Sequence, residues 1–257
     1  QVGGNLGGSF GPLLMALLVA PYGRHNIAYF AIVAFVAILV MIPVCRWYKA
    51  YLRRVKWRPA NAVRHAPMPL PHGRTFFAIA ILLTLIFSKY IYMASLSSYY
   101  TFYLMHKFGV SVQQSQIFLF VFLLATAAGT LMGGPIGDRI GRKYVIWMSI
   151  LGTAPFSILM PHVSLAWTVV LSFCVGFMLS SAFPAILLYA QELLPNKLGL
   201  ISGLFFGFAF GIAGIASAVL GDMADHYGIE AVYNICAYMP LLGLVTWFLP
   251  DLKKVPR

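Results

Sequence analysis

Apolar residues along this chain gather in long runs separated by short polar breaks. Runs long enough to cross a hydrocarbon core of about 30 Å lie at 1–20, 27–44, 75–104, 112–133, 144–160, 164–190, 198–220 and 231–249. Inside lipid, every backbone N–H and C=O must find its partner within the segment, so each run predicts a membrane-crossing helix. Pro155, Pro184 and Pro240 fall inside these runs and predict kinks. Most breaks are tight turns. The exception is 45–74, which carries Pro59, Pro67, Pro69 and Pro71. An even number of crossings puts the two ends of the chain on the same side.

Composition agrees with that pattern. Of 257 residues, 61% are hydrophobic and 9% charged, whereas a soluble domain carries roughly 25% charged residues to solvate its surface. The fold class expected is an all-α polytopic membrane protein. The chain opens within a Gly-rich apolar segment and without an initiator Met, so a preceding N-terminal part of a longer protein is expected.

The cations orient the spans. Arg46, Lys49, Arg53, Arg54, Lys56, Arg58, Arg64 and Arg74 crowd the 45–74 connection, and Arg139, Arg142, Lys143, Lys197, Lys253, Lys254 and Arg257 fall on the same side. The opposite side has Arg24 and Lys107, with the acids Asp222, Asp225 and Glu230. Lys and Arg concentrate in cytoplasmic loops, so the connection and both ends of the chain are expected in the cytoplasm. The net charge of +12 could suggest nucleic acid. Cations within reach of helix ends instead set topology and touch anionic lipid headgroups, so lipid is an expected partner and nucleic acid is not.

Candidate chemistry of other kinds is thin. Cys45, Cys174 and Cys236 are widely spaced, and the histidines sit at or beyond the ends of apolar runs with no pair at metal-binding spacing. No metal site and no enzymatic constellation is expected.

Small residues recur every fourth position in three spans. Gly3, Gly7 and Gly11 line the first, Gly203, Gly207 and Gly211 the seventh, and Ala125, Gly129, Gly133 and Gly137 the fourth. Such ladders let helix backbones approach closely. The first and seventh spans become equivalent if 45–74 joins two repeated halves. The division expected is then 1–44, two helices of a first half; 45–74, a basic cytoplasmic linker loop; and 75–257, a six-helix second half.

The turn after the fourth span reads Gly134-Pro-Ile-Gly137-Asp138-Arg139-Ile-Gly141-Arg142-Lys143. Gly141 permits the tight turn, and Asp138 at a helix end can accept from N–H groups at a neighbouring helix start. A basic turn that merely sets topology would explain the cations but not Asp138 or the glycine register. The run matches G-x-x-x-D-R-x-G-R-K, a signature of the major facilitator superfamily. With the segments 3–14, 86–105, 189–195 and 202–211, the chain resembles the antibiotic-efflux members of that family over essentially its whole length. The resemblance implies a twelve-helix inner-membrane fold of which helices five to twelve are present. It also implies proton-driven export with no other cofactor, and a gating role for Gly134, Gly137, Asp138, Arg139, Gly141, Arg142 and Lys143. In this scheme Arg142 and Lys143 bridge to acids of the other half. Glu192, at the end of the sixth span, pairs with Arg142 or Lys143 as a latch, or with Lys197 in its own turn. Efflux members often carry G-x-x-x-G-P-x-x-G-G in the fifth helix. Gly7, Gly11 and Pro12 fit, but Met15 and Ala16 replace the last glycine pair, so the direction of transport stays open.

One charge lies within a span. Lys89 sits fifteen residues past Arg74, about 22 Å along a helix, too deep to reach the near interface. Such a charge is costly and faces a polar cavity or a partner. Ser88, Tyr92, Ser95 and Tyr99 surround it in sequence, and Lys89, Tyr92 and Tyr99 recur at helical spacing as one polar, aromatic stripe. An ammonium with phenolic donors suits an anionic substrate such as a phosphonate. The alternative role is an ion pair with an acid elsewhere. The outer tyrosines also fit an aromatic belt at the interface. No Asp or Glu lies inside the spans, so the proton carrier is expected outside them. The function expected is a monomeric secondary transporter exporting an antibiotic or small anionic or amphiphilic compound, the alternative being an importer of an organic phosphate, sugar or other metabolite.

Overall fold

A computed structural model describes residues 2–23, 27–28, 30–56 and 71–250, and among them the secondary structure is helical with no strand. Eight segments are long and apolar enough to cross a membrane, matching the eight apolar runs. The first crossing is helix α1 (Val2–Leu14), continued by a π-type turn over Met15–Val19. Pro12 lies just before that turn, where its missing N–H disturbs the helical ladder.

Helix α2 (Phe30–Lys56) outruns its expected end. After Pro43 no Gly or Pro interrupts the chain until Pro59, and Arg, Lys, Ala and Leu are good helix formers. The first part of the expected 45–74 loop is therefore helix, and a boundary at residue 44 falls inside α2. The stretch 57–70 lies outside the described residues, as do Arg24, Lys253, Lys254 and Arg257.

Helix α3 (His72–Phe108) is the longest, and Gly109 ends it at φ +63°, its N–H donating to the Met105 carbonyl. Only glycine reaches that left-handed conformation without strain. A reciprocal cap between Ser111 and Gln114 then opens α4 (Val112–Ile140). The next crossing is broken. Helix α5 (Arg142–Ile150) passes through a 3₁₀ turn, a short α6 (Ala154–Leu159) and a second 3₁₀ turn to His162. Pro155 supplies no N–H at that junction. Helix α7 (Leu165–Leu193) runs unbroken past Pro184, and α8 (Leu198–Tyr227) follows. The last crossing is α9 (Ile229–Cys236) and a 3₁₀ helix over Met239–Phe248, with Pro240 in its first turn.

The buried core draws on residues from Ala78 to Leu249, with Tyr92, Tyr100, Tyr103, Tyr189, Tyr233, Phe122, Phe183 and Phe205 its largest fully buried side chains. Helices α4 and α7 meet backbone to backbone. A Cβ placed at Gly129 would lie 2.0 Å from the Phe177 carbonyl oxygen, and one at Gly133 2.6 Å from that of Ser181. Helix α1 joins from outside this core. Asn5 donates to Thr130 Oγ1 at 2.8 Å, and the Phe10 and Phe120 rings lie 6.5 Å apart. As α1 advances, its α4 partner recedes, so the two helices are antiparallel. The start of α1 therefore points toward the end of α4 that carries Asp138.

Candidate functional site

Lys89 sits mid-way along α3 with 3% of its surface exposed. Its Nζ lies 5.2 Å from the ring centroids of both Tyr90 and Phe183. Those rings belong to a contiguous aromatic group. Tyr90 meets Phe183 edge-on at 5.7 Å and Phe210 at 6.5 Å, Phe183 meets Phe206 at 5.1 Å, and Phe206 stacks near Phe210 at 6.3 Å. Rings of α3 and α7 thus flank the ammonium, and the α8 rings pack against those two in turn. Every described acid, Asp138, Glu192, Asp222, Asp225 and Glu230, is exposed, and among the described residues none pairs with Lys89. Ring faces lower the cost of a buried cation but do not neutralise it. A negative group brought to Lys89 from outside would.

The rest of the expected stripe goes elsewhere. Tyr92 is 1% exposed and belongs to the core, and its hydroxyl finds no hydrogen-bond partner among the described residues. Ser88 donates to the Met239 carbonyl of the last crossing, Ser95 to the Tyr92 carbonyl of its own helix, and Tyr99 to the Ser217 carbonyl of α8. The cause is that α3 is wrapped by several neighbours. Positions close on its helical wheel meet different elements, and three of these side chains tie α3 together or to its surroundings. Sequence reasoning missed the rings of Phe183, Phe206 and Phe210. The only signal was a density of Phe in the sixth and seventh spans, which does not say which of them face Lys89.

The α4–α5 turn forms the second cluster. Gly141 bends the chain at φ +116°. Arg142 reaches Glu192 Oε1 through Nη1 at 2.6 Å and lies 3.7 Å from Asp138 Oδ1 through Nη2. Among the described residues, the carboxylates beside Arg142 lie within the same bundle. The reason is proximity: the end of α7 packs beside the start of α5, and Glu192 offers the nearest carboxylate. Of the two cations expected for Glu192 at this turn, Arg142 holds it. Arg139 and Asp138 are exposed, Lys143 is half-buried, and Gly137 is buried close to the Arg142 and Val145 side chains. A Cβ at Gly134 would meet nothing within 4 Å.

The glycine ladders divide likewise. Gly129 and Gly133 are packed as described above. No atom would lie within 4 Å of a Cβ at Gly3, Gly7, Gly11, Gly203, Gly207 or Gly211, so these two faces stand open among the described residues. An apolar cavity of about 150 Å³ between α4, α5 and α7, lined by Met132, Met148 and Met178 among others, includes none of the rings around Lys89. No group of three or more potential metal ligands occurs among the described residues.

Comparison with known proteins places this architecture. The profile described as Major Facilitator Superfamily matches residues 79–257. The chain is 59% identical over 251 residues to the fosmidomycin resistance protein of Escherichia coli (strain K12), an alignment covering 98% of the chain and 61% of that relative. It is 35% identical over 255 residues to an uncharacterized MFS-type transporter of Bacillus subtilis (strain 168), covering 99% of the chain and 62% of the relative. A gallate transporter of Pseudomonas putida is 29% identical over 134 residues, covering 50% of the chain and 30% of its own length. The chain spans about three-fifths of the first two of these relatives. Eight membrane-length helices, the turn through Asp138 and Arg142, and a match running from α3 to the end of the chain lead to one conclusion: the chain belongs to the Major Facilitator Superfamily, a family of multi-pass membrane transporters rather than enzymes.

Proposed function

We propose that the protein exports a small anionic or amphiphilic antibiotic of the fosmidomycin type across the bacterial inner membrane, driven by the proton gradient. The observation that carries this reading is Lys89, a buried ammonium flanked by two rings with no described carboxylate beside it. A phosphonate is the kind of group such a cation would hold. Similarity to the fosmidomycin resistance protein of Escherichia coli supports the same substrate class. The Lys and Arg bias places the α4–α5 turn, the 45–74 connection and both chain ends in the cytoplasm, against anionic headgroups. In this scheme Arg142, held by Glu192 and Asp138, latches that face during one half of the transport cycle, and a single copy suffices.

The second reading is import of an organic phosphate, sugar or other metabolite, and it rests on Met15 and Ala16 standing where a glycine pair marks many exporters. Everted membrane vesicles containing the full-length protein separate the two. Export predicts accumulation of labelled fosmidomycin inside vesicles acidified within, with loss of the accumulated drug when the gradient is collapsed. Accumulation only in right-side-out vesicles would establish import instead.

A further inference from the structure

Helix α1 packs on α4, and the contact changes character along its length. Toward the start of α4 it is apolar, with the Phe10 and Phe120 rings 6.5 Å apart. Nearer the α4–α5 turn it is polar: Asn5 Nδ2 donates to Thr130 Oγ1 at 2.8 Å. Thr130 is buried and gives its own proton to the Thr126 carbonyl at 2.8 Å, so its oxygen is set to accept. On α1 the buried Ser9 hydroxyl turns instead to the Leu6 carbonyl of its own helix. Thr130 lies ten residues before the end of α4 at Ile140 and eighteen after its start at Val112, about 15 Å from the one and about 27 Å from the other. The Asn5 bond therefore sits in the part of the span nearer the turn.

Gly129 and Gly133 hold α4 backbone to backbone against α7, so α4 moves with the bundle around it. Helix α1 falls in the first half of the division expected from the sequence, and a transporter built of two halves must part them on one face to open its site. We infer that the Asn5–Thr130 hydrogen bond is a latch between those halves, made while the face carrying the α4–α5 turn is closed and broken when α1 and α4 separate there. The Arg142–Glu192 pair stays within one bundle, whereas this bond crosses from α1 to α4. Breaking it gives up a hydrogen bond within the membrane, where replacements are few, and so favours the closed face. The inference rests on the parting of the two halves and depends neither on the compound carried nor on its direction.

The test uses the full-length protein in lipid vesicles, its native cysteines replaced by alanine and spin labels carried on cysteines at Gly4 of α1 and Ile140 at the end of α4. A Cβ at Gly4 meets nothing within 4 Å, and Ile140 is exposed, so both positions accept a label. Pulsed electron paramagnetic resonance then reads two distances, a short one for the closed face and a long one for the open face. In Thr130→Val and in Asn5→Leu the long-to-short ratio is expected to rise about three- to tenfold, the range of a hydrogen bond between membrane helices. Thr130→Ser keeps the hydroxyl and should hold the ratio near that of the unmodified protein. The double variant Asn5→Leu/Thr130→Val should match the single ones, because each removes the same bond. An unchanged ratio in both single variants, or a rise in Thr130→Ser equal to that in Thr130→Val, would overturn the latch and leave the transport reading standing. A single distance in the unmodified protein that no imposed proton gradient alters would instead remove the parting of α1 from α4 on which the latch rests.

Discussion

At the scale of single residues, burial and partnership separate function from packing along α3. Lys89 is buried, and none of the described acids pairs with it, which is the premise of the proposed anion site. Hydrogen bonds to a charged group contribute about 1.5–3 kcal/mol, so Lys89→Met should raise the half-saturating concentration for a phosphonate drug by about ten- to a hundredfold. Thermal stability should not fall, since removing a charge from a membrane helix relieves a desolvation cost. Lys89→Arg should keep part of the activity, because the charge survives while the geometry changes. A lower melting temperature for the Met variant in detergent would mark Lys89 as a structural ion-pair member. Tyr92 makes the opposite case. It faces the core with a hydroxyl that has no partner among the described residues, so Tyr92→Phe should leave drug resistance intact and shift stability by less than about 1 kcal/mol. Loss of resistance in that variant would return Tyr92 to the site. Asp138 and Glu192 share Arg142 at exposed positions, where ion pairs contribute about 0–1 kcal/mol. Asp138→Asn should accordingly insert and fold normally yet transport poorly, and full transport by that variant would reduce the turn to a topological signal.

At the scale of elements, the same small-residue spacing produces two outcomes. On α4, Gly133 lies so close to Ser181 that any Cβ must push α7 away. On α8, no described atom lies within 4 Å of a Cβ built at Gly207. Gly133→Val should therefore cost more than about 2 kcal/mol through overpacking, read as a lower melting temperature of the detergent-solubilised protein. Gly207→Ala should stay within about 0.5 kcal/mol. Equal losses for the two would mean that α8 has a close neighbour on that face. The elements also show why proline positions mislead. Pro184 lies in an unbroken α7, while Pro155 and Pro240 sit at changes of helix type. A missing N–H bends a helix only when neighbouring contacts do not hold it straight.

At the scale of the whole molecule, the charge asymmetry sets a testable topology. A reporter fused in the 45–74 connection should read as cytoplasmic, and one near Tyr227, where α8 ends, as periplasmic. Opposite signals would invert the orientation and place the Arg142–Glu192 pair on the outer face.

The crossings and their number were legible in the chain itself, because lipid forces each apolar run of sufficient length to become a helix. That Lys89 lies midway along a long helix was legible for the same reason, from its place in an apolar run. The partners of Lys89 were not. Helical spacing tells which residues share a face of α3, but α3 is surrounded, and only packing decides that Tyr92 meets the core while Phe183 approaches Lys89 from α7. The glycine ladders show the same limit. Their sequence permits a backbone to come close, and only the tertiary structure determines that, among the described residues, one comes at Gly129 and Gly133 and none at Gly203, Gly207 and Gly211.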